Sequence, residues 1–183
     1  MINAIYAKAH LHALHIINNT LENTVLINLN RKVLKDPRFL LAPGGSSHHH
    51  TYKHGLVQHV KEVMDNVCKM TNRKPSDELV TAVIWHDYMK IKDYAIVDDM
   101  SQASCERVEK LPYRKLINHV TGSAMEFHFH ATACLPSETV ERIVHLLLSH
   151  HGRKEWGSPV EPQTAEAFIL HAADMMSAHG VNL

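Results

Sequence analysis

The run Leu79-Val80-Thr81-Ala82-Val83-Ile84-Trp85 is apolar almost all round. It follows Pro75-Ser76-Asp77-Glu78, which reads as a helix start with Ser76 as N-cap and acids in the first turn. A helix that is apolar on every side has to be covered on every side. The rest of the chain must therefore wrap around this segment. The helix runs into His86-Asp87 and so delivers both residues to the interior. A charged aspartate there needs a partner, and a metal ion supplies one.

The covering segments also read as helices. Ile2 to Asn18 has helical periodicity, and a second helix covers Thr24 to Lys35, stopping before Pro37 because the residue preceding proline disfavours the helical region. Ala42 to Ser47 is a loop. His48-His49-His50 continues it, and a solvated loop is its plain reading. From Gly55 to Met70, Leu56, Val57, Val60, Val63, Met64 and Val67 fall at steps that mark one buried stripe, and His59 points inward with them. An inward histidine by itself is more often a hydrogen-bonded core residue than a ligand. Ile91 to Pro112 is polar and reads as a surface excursion. A helix then carries Leu116, Ile117, Val120 and Ala124 with His119 on its inner edge. Gly122 there costs about 1 kcal/mol relative to alanine, which implies a close helix approach. Val140, Ile143, Val144, Leu147 and Leu148 form a stripe ending at His150-His151-Gly152. Adjacent histidines diverge by about 100° on a helix, so both reach one site only if the helix ends there. Pro162 suits the first turn of a final helix. Phe168, Ile169, Ala172 and Met176 form one stripe on it, and Ala167, Leu170, His171, Asp174 and Ala178 form another, placing Asp174 inside. No strand pair or internal repeat is evident. The class is all-α.

With 183 residues the chain is long enough for one domain with a real core. Lys plus Arg and Asp plus Glu each number 19, so no strong footprint for duplex DNA exists. Two basic clusters, Arg31, Lys32, Lys35 and Arg38, and Arg107, Lys110, Arg114 and Lys115, read as solvated helix surface. Cys68, Cys105 and Cys134 are scattered and form no CxxC pattern, which points to reduced thiols and a cytosolic protein. The amphipathic start, interrupted by His10, His12, His15 and Asn18, lacks the basic head and apolar run of a signal peptide. No stretch is long and apolar enough to span a membrane.

His59, His86, Asp87, His119, His150, His151 and Asp174 thus converge from helices or helix ends. Imidazole and carboxylate together are ligands for Mn, Fe, Co, Ni or Zn. Six or seven such groups exceed what one tetrahedral ion needs, so the set suggests two divalent ions sharing Asp87. That chemistry suits a metal-dependent hydrolase, or alternatively an oxygenase.

The His-Asp doublet, with a distant histidine before it and an aspartate after it, resembles the HD-domain superfamily. The surrounding text resembles the HD domain of bacterial YhaM-type 3′–5′ exoribonucleases more specifically. It comprises His49-His50 with Gly55-Leu56 and His59, then His86-Asp87 with Lys90, then Leu116-Ile117, His119-Val120 and Gly122. It continues through Leu148 to Pro159, Glu166-Ala167, Ile169-Leu170-His171 and Asp174. HD domains attached to conjugation relaxases share much of this text.

The resemblance covers roughly residues 48–180 and implies one HD domain, a helical bundle around a metal site, with residues 1–47 as added N-terminal helices. It implies a metal-dependent phosphohydrolase or phosphodiesterase acting on a nucleotide or short single-stranded oligonucleotide. His59, His86, Asp87 and Asp174 correspond to the core metal site. His119 and His150 correspond to the further ligands of the two-metal version, and His151 to a ligand or its neighbour. Lys90 is the lysine expected at a phosphate, with a catalytic role beside Asp87. His49, His50 and Arg153 are expected to face substrate. Two departures stand out. The 47 residues before His48 read as helices rather than as a nucleic-acid-binding OB-type domain, and Met89 occupies a position where the family has glycine. The alternatives are an HD-type di-iron oxygenase, which uses the same six-ligand scheme, and a non-catalytic metal-binding regulatory domain.

Overall fold

The computed structural model describes residues 2–46, 49–72, 74–98 and 106–181. His48 and Cys105, singled out in the sequence, lie outside the described residues. The fold is helical: α1 (Ile2–Asn18), α2 (Thr24–Leu34), α3 (Pro37–Leu41), α4 (Gly55–Met70), α5 (Asp77–Trp85), α6 (Lys90–Asp93), α7 (Tyr113–Leu116), α8 (Asn118–Ala131), α9 (Ser137–Ser149) and α10 (Ala165–Ala178). Among the described residues no helix is long and apolar enough to cross a membrane.

The apolar segment is the central helix α5. Its Ser76 cap accepts from Leu79 N at 3.1 Å, and Ala82, Val83, Ile84 and Trp85 are fully buried. Helices α2, α4, α8, α9 and α10 all pack on it. Helix α4 buries its predicted stripe from Leu56 to Val67 against α10, α1 and α3.

The N-terminal helices share this core, since Leu14, Leu26, Val33 and Phe39 belong to the same apolar cluster as α4 and α5. A buried polar network ties them further. Trp85 Nε1 donates to Asn30 Oδ1 at 3.0 Å, and Asn30 Nδ2 donates to Asn18 Oδ1 at 2.9 Å and to Thr81 Oγ1 at 3.1 Å. The indole donor of a buried tryptophan needs such a partner.

Four expectations are corrected. Within the supposed irregular excursion, β1 (Tyr94–Asp98) and β2 (Glu106–Lys110) form an antiparallel pair with Tyr94 opposite Lys110 and Asp98 opposite Glu106. Tyr94, Ile96, Val97 and Val108 favour strands, but the ribbon has no fully buried face to impose alternation. The helix expected through Leu116 breaks at Ile117–Asn118, where Asn118 takes φ 61°. Leu116 ends α7, with 81% of its surface exposed. On α10 only the stripe of Ala167, Leu170, Ala173, Asp174 and Ser177 is buried, and Phe168 faces out. Pro162 precedes α10 altogether, because Thr164 is its cap and accepts from Ala167 N.

Candidate metal centre

Five helices and their ends converge on Asp87. Helix α5 ends at His86, and the following turn carries Asp87 inward, where it is 1% exposed. His59 comes from the buried face of α4 and Asp174 from that of α10. His119 opens α8, held just after the positive-φ residue Asn118. His150 and His151 follow the end of α9, so they escape the divergence that a continued helix would impose. Their ring centres are 4.3 Å apart. Gly152 completes this turn at φ 82°, and a side chain there would strike the His171 ring.

The contacts fall into two groups that share Asp87. On the Oδ2 side, His59 Nε2 lies 3.1 Å from Asp87 Oδ2 and 3.0 Å from Asp174 Oδ1, with His86 Nε2 3.3 Å from His59 Nε2. On the Oδ1 side, His119 Nε2 is 3.4 Å and His150 Nε2 3.7 Å from Asp87 Oδ1, and His151 Nε2 is 3.3 Å from His119 Nε2. In each four-residue group the candidate ligand atoms lie within 4.8 Å of one another.

The hydrogen bonds of the five histidines share one polarity. Nδ1 of His86, His150 and His151 faces the carbonyl oxygens of Val83, Leu147 and Trp156 at 2.8, 2.6 and 2.9 Å. A carbonyl only accepts, so each Nδ1 carries the proton. Nδ1 of His119 donates to Asp93 Oδ2 at 2.7 Å. Nδ1 of His59 stands 2.9 Å from Ser177 Oγ, which itself donates to Glu62 Oε2 at 2.7 Å and therefore accepts from the histidine. Every Nε2 is left pointing at the carboxylates. Buried His150 Nε2 and Asp87 Oδ1 have no hydrogen bond among the described residues. Such atoms are costly unless something binds them. Nitrogen ligands about 2.1 Å from a tetrahedral ion stand roughly 3.4 Å apart, close to the separations found. The donor set thus fits divalent metal.

The charges agree with that fit. Burial pushes His150 well below the usual imidazole range, and burial with the neighbouring His119 pushes His151 to about 4. Both are neutral at physiological pH, the form a metal requires. Burial opposes ionisation of Asp87, yet Lys90 and the histidines outweigh it and hold the carboxyl far below its ordinary value. For His59 the hydrogen bonds to Asp174 and Asp87 overcome burial and raise the imidazole to about 9. Lys90 Nζ is 2.5 Å from Asp87 Oδ2. Burial opposes its charge, but Asp87 and Asp174 raise its pKa. Met89, in the position of the family's glycine, has φ −76°, a conformation open to any residue, and its N–H donates to Ser123 Oγ.

The group opens into a cleft of about 870 Å³. His49, His50, His59, Lys90, His119, His151 and Asp174 line it, as do Tyr94, Lys110, Arg114 and Trp156. His86, Asp87 and His150 lie behind that lining. His50 pairs with Glu62 at 3.0 Å, and its loop is pinned by Gly44 N donating to His50 O at 2.8 Å. Arg153 is outside the lining, its guanidinium 5.0 Å from the centre of the Trp156 ring.

Sequence reasoning missed the residues behind the histidines. Glu62 follows His59 by three, and Ser177 follows Asp174 by three. That spacing puts each pair on one helix face and was available as a signal. Asp93 falls within the polar stretch expected to be a surface excursion, yet it is fully buried. Its link to His119 depends on the break at Asn118, which periodicity does not reveal.

A family model described as the HD domain matches residues 56–179. The 3′–5′ exoribonuclease YhaM of Bacillus subtilis (strain 168) is 31% identical over 164 residues, which cover 86% of this chain and 50% of that protein. The protein of the same name from Bacillus licheniformis is 30% identical with the same coverage, and that of Oceanobacillus iheyensis is 29% identical and 49% covered. The chain thus spans about half the length of the curated relatives it matches. No solved structure matches it.

Proposed function

The chain belongs to the HD domain family, and from that premise we propose that it is a metal-dependent phosphodiesterase acting on a nucleotide or short single-stranded nucleic acid. The observation that carries this is the common polarity of the five histidines, each with Nδ1 engaged and Nε2 aimed at the two aspartates. His59, His86, Asp87 and Asp174 hold one divalent ion in this reading. Asp87, His119, His150 and His151 hold a second. Bound ions of this kind supply a water of lowered pKa and Lewis-acid contacts to phosphoryl oxygens.

The remaining roles belong to the chain's own residues. Lys90, kept cationic by Asp87 and Asp174, stabilises charge developing on a phosphoryl oxygen. His49, exposed on the cleft wall, donates to substrate oxygens. His50 fixes Glu62, and through Ser177 that carboxylate orients His59. The exoribonuclease name of the relatives supports nucleic acid as the substrate class.

The test is hydrolysis of single-stranded RNA and of nucleoside phosphodiesters by purified chain reconstituted with Mn²⁺, without oxygen. Nucleotide release that EDTA abolishes and Mn²⁺ restores is expected. Stoichiometric iron with oxygen consumption, and no phosphodiester cleavage, would replace this reading with the di-iron oxygenase.

A further inference from the structure

We propose that a basic groove over β2 and α7 holds the phosphate adjoining the one at the metal centre, so that the ligand is a single-stranded phosphodiester chain rather than a mononucleotide. The proposal rests on the phosphodiesterase reading for what occupies the centre itself. Lys110 and Arg114 line the main cleft together with Lys90, His119 and Asp174. The same two residues, with Leu111, Pro112 and Lys115, line a second cleft of about 480 Å³. The two clefts therefore meet at Lys110 and Arg114, and a strand leaving the centre can continue past them.

Among the described residues the charges of this groove are uncompensated. Among the described residues Lys110, Arg114 and Lys115 have no ion pair, although surface cations elsewhere do, such as Arg142 with Glu78 at 2.7 Å. Among the described residues Asp174 is the only carboxylate in either lining, and it belongs to the centre. Arg114 Nε is buried with no hydrogen bond among the described residues. Its guanidinium lies 5.5 Å from the centre of the Tyr94 ring, and Tyr94 stands opposite Lys110 in the hairpin register. Lys110 of β2 and Arg114 of α7 thus both adjoin Tyr94, and the guanidinium is braced by that buried ring. Guanidinium with unused N–H donors is suited to phosphate oxygens. In a chain whose formal net charge is zero, such a local surplus attracts an anion.

A single strand fits better than a duplex. The charge is confined to a cleft, and the half-exposed Trp156 ring lines that cleft, where it can stack on an unpaired base. Of the residues read as solvated helix surface, Lys115 is exposed on α7 as expected, whereas Lys110 sits on a strand and Arg114 is half-buried.

The experiment compares wild type with Lys110→Ala and with Lys110→Ala/Arg114→Gln, all metal-loaded. The probes are a 5′-fluorescein-labelled, phosphorothioate-linked hexauridylate, read by anisotropy, and unlabelled UMP, read by calorimetry. The double variant should bind the hexanucleotide about tenfold more weakly, and its slope of log affinity against log salt should shrink by about 0.7, the value for one phosphate contact on a single strand. The single variant, altered only on an exposed strand, should lose about threefold. UMP affinity should change less than twofold. Equal loss for UMP and hexanucleotide, unchanged hexanucleotide affinity, or no hexanucleotide binding by wild type overturns the proposal. Hydrolysis is scored separately on thymidine 5′-(p-nitrophenyl phosphate). Wild type that binds the hexanucleotide through the groove yet cleaves neither RNA nor this diester would remove the phosphodiesterase reading and leave the groove standing.

Discussion

Asp93 Oδ2 accepts from His119 Nδ1 at 2.7 Å and also receives the His119 backbone N–H at 3.2 Å. One buried carboxylate thus fixes both the ring and the backbone of a residue at the break between α7 and α8. A carboxylate behind a metal-bound imidazole sets its tautomer and raises its basicity. Asp93→Ala should weaken metal affinity on the Oδ1 side of Asp87 by about 10- to 100-fold, while the Oδ2 side keeps its ion. Stepwise metal titration followed by calorimetry reads this directly. Equal weakening of both steps would mean that Asp93 supports the fold rather than His119.

Metal uptake should expel a proton from His59. Hydrogen bonds to Asp174 and Asp87 raise its pKa from 6.5 to about 9, so the charged ring stabilises the fold fully below pH 6.5. The contribution is lost as pH rises through about 9. A metal needs the Nε2 lone pair and competes with this proton. Calorimetry at pH 7.5 in buffers of different ionisation enthalpy should give release of about one proton from His59, fading above pH 9. His59→Ala should remove the pH dependence over that window. Uptake with no proton release at pH 7.5 would contradict the assignment.

Lys90 separates charge stabilisation from metal binding. Its ammonium pairs with Asp87 Oδ2, and a protonated lysine cannot be a ligand. Lys90→Ala should keep full metal content and lower kcat by about 100-fold, the scale of losing one preorganised charge at a phosphoryl oxygen. Unchanged turnover with only a small drop in Tm would assign Lys90 to the helix end alone.

Asn30 tests whether α1 and α2 are part of the core. Asn30→Ala leaves the buried Trp85 Nε1 donor and the Asn18 Oδ1 acceptor without their partners. Urea unfolding should show a loss of about 1–3 kcal/mol, with metal stoichiometry unchanged. A loss below a few tenths of a kcal/mol would detach the network from stability.

Much of the architecture was legible because burial writes itself into helical periodicity. The stripe on α4 and the all-round apolar α5 are enough to place His59 and the His86-Asp87 doublet in the interior. The hairpin was not legible, since a ribbon with no fully buried face carries no alternation to read. Leu116 misled for a related reason: its periodicity runs across Asn118, where a left-handed residue breaks the helix. The residues nearest Asp87 announced themselves by type, whereas Asp93, Glu62 and Ser177 acquire their roles only from contacts between elements distant in sequence.

Elemental analysis of the purified chain after saturation with Mn²⁺ or Fe²⁺ and removal of free metal bears most directly on the two-ion centre. Asp87 offers Oδ2 to His59 and Oδ1 to His119, so about two ions per chain are expected in wild type. Asp87→Ala, with its circular dichroism retained, should hold close to none. A wild type that saturates at a single ion, or an Asp87→Ala variant that keeps its full metal content, would contradict the shared-aspartate centre.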